Sequence, residues 1–485
     1  MKIRSAMNTI NRRELLALGG AALGGAALSR VLAQSNSFPQ APTLEIARQG
    51  NLVEANLTST PASLNINGKN AQLMTYNSSL PGSVLRVREG DTVRLKYTNN
   101  LSEPSNLHLH GLHISPNVDQ PMLEIKTGES RVYEFDLPKG SSGTYWYHPH
   151  VHGNVAAQMA AGLVGAMIVS GPLDTMPELR DAEEQVLVLK DLNLVNGVPK
   201  QHDMMDWMNG QEGNLLLVNG AFKPTLRAGK ATLRLRIINA SNARYYNLQL
   251  EHHPLYLIAT DGGFIEKPVA LETLLLAPGE RAEVLVRLTN EGSFKLQNLP
   301  YNRGIMKMGG MSGMGGMSGM GGMSGSNDTQ PTTLMTVIAP SKPKPLPLLS
   351  SLMPVEKLDL SKAVITRRIE FSEQMMQAKF YLNKKSFDPN RVDFQGKMGT
   401  LEIWELHNKS DMDHPFHLHS YPFQIIDRNG KPEPYRAWKD VVNLKKNDLV
   451  RIAVPLRDFT GMTVYHCHVV EHEDRGMMGI LEVKD

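Results

Sequence analysis

At 485 residues with 41% hydrophobic side chains, the chain is long enough for two to four domains with real cores. Its formal charge of +3 comes from the start: Lys2, Arg4, Arg12, Arg13 and Arg30 stand against Glu14 within residues 1–33, and the remainder sums to about −1. That balance makes no electrostatic case for a nucleic-acid partner, and a single cysteine excludes an intramolecular disulfide.

The first element is a leader. Arg12-Arg13 precede an Ala/Gly/Leu-rich apolar run over residues 15–28, and Val31-Leu32-Ala33 offers a small-residue cleavage site. Paired arginines before a modest apolar run match a Tat signal, which the export machinery reads as an address rather than an anchor. The run is too short and too rich in glycine to span a bilayer comfortably. The expectation is export to the periplasm or the outer face of the envelope, with no stable membrane anchor.

Downstream, short segments alternate apolar and polar residues between Gly, Pro and Asn turns, as in residues 91–97, 131–135 and 232–238. Helical periodicity is scarce, and many short strands at regular spacing indicate β-sandwiches. The expected division is domain 1 over 34–172, domain 2 over 173–345 and domain 3 over 346–485, the second boundary marked by the proline-rich stretch 340–347.

Residues 306–323 of domain 2 read MKMGGMSGMGGMSGMGGM and carry Met306, Met308, Met311, Met314, Met317, Met320 and Met323. Such glycine content neither packs a core nor holds one backbone conformation. The bland reading is a flexible loop. The chemical reading is a soft-ligand trap, since thioethers favour Cu(I) over harder ions and unbranched methionines rearrange around it. Strand-like segments at 292–296 and 333–337 make the repeat a hairpin tip.

Histidine is concentrated as well. Residues 108–110, 148–150, 414–419 and 466–472 hold ten of the sixteen histidines, where uniform scattering would put about 0.6. Each segment contains an i, i+2 pair, a spacing that aims two imidazoles from one face of a strand: His108/His110, His148/His150, His417/His419 and His466/His468. Eight imidazoles from four strands suffice for three metal ions. Cys467, followed by His472 and Met477, has the thiolate, imidazole and thioether spacing of a blue-copper centre, with His414 the candidate second imidazole. If Cys467 faces its own domain, its neighbours His466 and His468 face the other way, and a few covalent bonds join two metal sites.

These motifs in this order, with Leu257-Ile258-Ala259-Thr260-Asp261-Gly262-Gly263 and Ala277-Pro278-Gly279-Glu280-Arg281, resemble the three-domain multicopper oxidases, most closely the bacterial CueO-like and laccase-like members. The resemblance covers essentially everything after the leader. It implies an all-β chain of three cupredoxin-like Greek-key β-sandwich domains and four copper ions. By the family's pattern, type 1 copper sits on His414, Cys467, His472 and Met477, and type 2 on His108 and His417. The type 3 pair sits on His110, His148 and His468 and on His150, His419 and His466. The implied reaction couples one-electron oxidation of a reductant, Cu(I) or a phenol, to four-electron reduction of O2 to water, in copper tolerance. Asp119, nine residues after His110, and Glu473, directly after His472, match the family's proton-relay acids. Met412 and Asp411 lie where CueO-like proteins contact substrate copper, with only Met412 matching in position. Leu109 stands where the family often has Trp. His113 and His152 extend their motifs, but every ligand position is already filled.

Other readings remain. A copper-free structural relative, like the cell-division member of this superfamily, would have no use for ten histidines, Cys467 and Met477 together. A phenol-oxidising laccase or a ferroxidase keeps the same ligands and differs only in reductant. A two-domain nitrite reductase needs fewer histidines and a shorter chain.

Overall fold

The computed structural model describes residues 37–304 and 329–485; the expected leader at 1–33 and the methionine repeat at 306–323 lie outside them. Strands dominate, and their wiring repeats three times. A long strand pairs in parallel with a later one in each domain: Leu52–Ile66 with Thr92–Asn99, Glu183–Leu192 with Thr232–Asn239, and Ala363–Gln374 with Thr400–Asn408. The other sheet of each domain repeats a second parallel pair: Gly82–Arg88 with Gly165–Ser170, Thr225–Arg227 with Thr332–Ile338, and Phe394–Lys397 with Met478–Lys484. Parallel neighbours cannot be joined by a hairpin, so the chain must cross over between them. The result is three Greek-key β-sandwiches of the cupredoxin-like kind.

Within a sandwich the period-2 pattern does the sorting. Along Thr92–Asn99, Val93, Leu95 and Tyr97 point into the core of domain 1, where they meet Leu85, Leu109, Tyr147 and Met167 from the facing sheet. A further apolar cluster spans the domains: Trp146, Val155 and Met159 of the first, Val186, Val188 and Ile238 of the second, and Val470 of the third. Fully burying such side chains is worth about 1.5–3 kcal/mol each, so the interface behaves as core. The helix Val155–Ala160 has no side-chain cap of its own. Asp474 of domain 3 serves instead, accepting from Ala156 N of the helix at 2.8 Å and from Gly153 N just before it at 2.7 Å. Domains 1 and 3 are thereby brought together where the histidine motifs lie.

Two strand patterns differ from simple alternation. The histidine-bearing strands His108–His110, Gly143–His148 and His414–Leu418 are buried on both faces, because another domain covers the face a lone sandwich would expose. Thr232–Asn239 alternates Leu and Arg yet is buried throughout. Its Arg234 and Arg236 are held by both oxygens of Glu283, at 2.6 and 2.5 Å, and by Asp174. Among the described residues, no helix is long and apolar enough to cross a membrane.

Candidate metal centre

Strand register assembles the histidines. His108 pairs with His148 and His110 with Trp146 in domain 1; His417 pairs with His466 and Phe416 with Cys467 in domain 3. Alternation then puts Cys467 into the domain 3 core with Phe416 and Leu418, and sends His466 and His417 across to meet the domain 1 imidazoles. All eight imidazoles of the four pairs are buried. Three triples have ring nitrogens within 4.8 Å of one another: His108, His110 and His148; His108, His417 and His419; and His150, His419 and His466. His468 joins the group through its ring, 4.8 Å from that of His110 and 5.6 Å from that of His148.

The outer nitrogens show which way the rings are held. His108 Nδ1 donates to Asp119 Oδ1 at 2.7 Å, and His419 Nδ1 to Asp119 Oδ2 at 2.9 Å. His417 Nδ1 donates to the Asp440 carbonyl at 2.8 Å, His466 Nδ1 to the Cys467 carbonyl at 3.0 Å, and His148 Nδ1 to the Pro149 carbonyl at 2.8 Å. A carboxylate or carbonyl can only accept, so each of these rings carries its proton outside and a bare lone pair on Nε2. Those lone pairs face one another: His419 Nε2 to His466 Nε2 is 3.1 Å, and His108 Nε2 to His417 Nε2 is 3.4 Å. Burial first, then the neighbouring imidazoles, lowers the pKa of His108, His110, His419 and His468 well below the usual histidine value, and burial brings His148 to about 3. Opposed acceptors with no proton between them fit cations, and neutral imidazoles are the form that binds them. Nε2 of His110, His148 and His468 likewise has no hydrogen-bond partner.

A second donor group lies in domain 3. Cys467 Sγ is 3.3 Å from His414 Nδ1 and 3.8 Å from His472 Nδ1, and those two nitrogens are 3.3 Å apart. All three side chains are fully buried, as is Met477, whose carbonyl accepts from Cys467 N at 3.0 Å. Burial pushes the Cys467 thiol well up; a metal ion would displace its proton. One thiolate and two imidazoles, with Met477 buried in the same cluster as Cys467, form a soft donor set suited to copper.

The acids differ in their roles. Asp119 uses both oxygens to orient His108 and His419. Glu473 is buried, with Oε2 3.1 Å from His466 Nδ1 and Oε1 3.4 Å from His150 Nε2. Burial alone would raise its pKa, but His466 and His150 outweigh that and hold it at about 2. Met412 is buried, whereas Asp411 is 81% exposed and pairs with Lys446 Nζ at 2.7 Å. His113 spends both nitrogens on the Ser420 carbonyl and Asp458, and the exposed His152 ring lies against Phe387. Sequence reasoning missed Asp440 and its partner Arg281, which sit behind His110 and His417. Arg281 lay in the family-like stretch 277–281 but was given no role there, and for Asp440 the one available signal was charge within the unremarked stretch 437–441.

Fold and donor sets together define a metalloprotein with a thiolate site and a separate imidazole cluster. Family models described as multicopper oxidase match residues 58–174, 183–307 and 360–485. The chain is 31% identical over 417 residues to multicopper oxidase mco of Staphylococcus haemolyticus, 84% of this chain and 83% of that one. It is 31% identical over 451 residues to cell division protein FtsP of Yersinia pestis, 90% of each. Its structure resembles a multicopper oxidase from Campylobacter jejuni described as a metallo-oxidase, with TM-score 0.84 and 34% identity over 93% of this chain and 96% of that one. The chain belongs to the multicopper oxidase family. It is an oxidoreductase, its family implies copper ions, and its donor groups are of the kind that can hold a metal ion.

Proposed function

We propose that this oxidase takes electrons from Cu(I), with phenols as secondary reductants, and passes them to O2, in copper tolerance. The observation that carries the choice of reductant is the run of seven methionines at 306–323, thioethers that select Cu(I). The likeness to a metallo-oxidase is in keeping with it. The proposed ligand set is His414, Cys467, His472 and Met477 for type 1 copper and His108 and His417 for type 2. One type 3 ion takes His110, His148 and His468, and the other takes His150, His419 and His466, making four ions. When bound, copper supplies one-electron chemistry at the thiolate site and multi-electron reduction of O2 at the imidazole cluster. The chain does the rest. The peptide links from Cys467 to His466 and His468 give the covalent path between the two groups. Asp119 holds the Nδ1 protons of two imidazoles. Glu473, buried beside His466 and His150, is placed to carry protons inward to the cluster.

The test compares initial rates with Cu(I), Fe(II) and a phenol on fully loaded enzyme. Cu(I) is expected to have the highest kcat/KM, by at least about tenfold over the phenol. A phenol in first place would make the enzyme a laccase, and Fe(II) in first place a ferroxidase.

Two further outcomes are expected. Copper ligands drawn from domains 1 and 3 tie the ends of the fold together, so loading should stabilise it, by about 4 kcal/mol at free copper a thousandfold above Kd. Calorimetry of the metal-free and loaded protein reads this as a rise in Tm; equal values would mean that no metal joins the two domains. Export is proposed to follow the twin-arginine route to the periplasm or envelope exterior. Replacing Arg12 and Arg13 with Lys should leave precursor inside the cell, because guanidinium and ammonium are not equivalent to a receptor. Normal export in a Tat-intact cell would point to the general secretory route.

A further inference from the structure

We infer that the middle domain, which adds no imidazole or thiolate to either donor group among the described residues, positions the histidine cluster through one turn, residues 277–281. The inference rests on the proposed ligand set. It begins with Arg281, a fully buried guanidinium. Nε donates to the Thr144 carbonyl of domain 1 at 3.1 Å. Nη1 donates to Asp440 Oδ1 of domain 3 at 2.7 Å and to the Gly279 carbonyl at 3.2 Å. Nη2 donates to Asp440 Oδ2 at 2.6 Å and to the Asp261 carbonyl at 2.9 Å. The five N–H groups thus face acceptors spread over three domains, with Nη1 also 3.3 Å from His110 Nδ1, a fan that only a planar guanidinium provides.

Asp440, fixed in this fork, stands behind two imidazoles. Its Oδ1 is 3.3 Å from His110 Nδ1 and 3.4 Å from His417 Nδ1, and those rings stack at 3.9 Å with planes 11° apart. His110 comes from domain 1 and His417 from domain 3, so one residue of domain 2 holds both in register. Gly111, at φ +91°, lets the end of the domain 1 strand pass over the guanidinium; a Cβ there would lie 2.1 Å from Arg281 Nη2.

Gly279 acts on a third imidazole. Both nitrogens of His468 lack a hydrogen-bond partner, so packing must set its ring. Trp146 lies against it at 5.6 Å, and the Gly279 backbone is so close that a Cβ would come within 2.8 Å of His468 Cδ2. Arg281 and Gly279 are therefore positioning residues for His110, His417 and His468. They work at the imidazole cluster and leave the Cys467 site alone.

The experiment uses full-length enzyme as wild type, Arg281→Lys, Gly279→Ala and, as a control, Arg367→Lys, which loses a comparable fork on Glu402. Each is titrated with copper and read by bound copper per chain, the blue band of the thiolate site and the type 2 EPR signal. Arg281→Lys and Gly279→Ala are expected to keep the blue band while the cluster's copper affinity falls about 10- to 100-fold, the usual cost of removing a ligand's support. Arg367→Lys should keep both signals. If Arg281→Lys fails to fold and shows no blue band, Gly279→Ala decides, since it removes no charge. Wild-type copper affinity and EPR in the folded variants overturn the inference, whatever happens to Tm. A wild type lacking the type 2 signal overturns the ligand reading, and the inference with it.

Discussion

Cys467→Ser is expected to abolish the blue absorption and to lower turnover with every reductant by at least about a hundredfold, while the imidazole cluster still fills with copper. Cys467 is the only cysteine, it is fully buried, and its sulfur lies against both His414 and His472. Serine keeps the approximate shape, and the backbone bond from residue 467 to the Met477 carbonyl needs no side chain. What changes is the donor: a hydroxyl does not become the soft anion that a thiolate is at neutral pH. The cluster should survive because its rings are held by groups the substitution does not touch, Asp119 on His108 and His419 and the Asp440 carbonyl on His417. Visible spectra, copper quantitation and EPR on one preparation would separate the two sites. A variant that stays blue and active would sink the type 1 assignment, and one that loses all its copper would mean that the two sites do not fill independently.

What could be read from the sequence was what is local. The alternation at residues 91–97, 131–135 and 232–238 matches the strands Thr92–Asn99, Ser130–Asp136 and Thr232–Asn239, with only Asp91 outside its strand, because a strand's period is written in its own side chains. The i, i+2 histidines were visible for the same reason. What stayed hidden depends on partners far along the chain. Arg234 and Arg236 look like the solvent face of a strand until Glu283, 49 and 47 residues away on the neighbouring strand, pairs with both. The Thr144 hydroxyl of domain 1 then meets Arg236 and Glu283. Arg281 finds Asp440 across 159 residues, and Asp119 reaches His419 across 300. The sequence could nominate Asp119 as an acid near the cluster. That each of its oxygens would hold a different imidazole depends on how domains 1 and 3 meet. Gly279 is legible least of all, since its importance is the absence of a side chain against a ring 189 positions on.

Replacing the seven methionines of 306–323 by serine should raise the apparent KM for Cu(I) about tenfold or more and leave kcat unchanged. Binding that is equal in ground and transition states appears in KM alone. The substitution preserves the length and glycine content of the segment, so it tests the thioethers rather than any steric cover. Excising the repeat should give the same result for Cu(I). For phenols the two edits are expected to diverge if the repeat shields the thiolate site from bulky reductants: serine leaves phenol oxidation as it was, and excision raises it. Agreement of both edits with wild type on phenols, alongside the Cu(I) defect, would mean collection of the ion without shielding. The serine variant is decisive for the reductant. Unaltered Cu(I) kinetics there would make the repeat a spacer, remove the observation that favours Cu(I), and leave phenol oxidation as the better account of the enzyme.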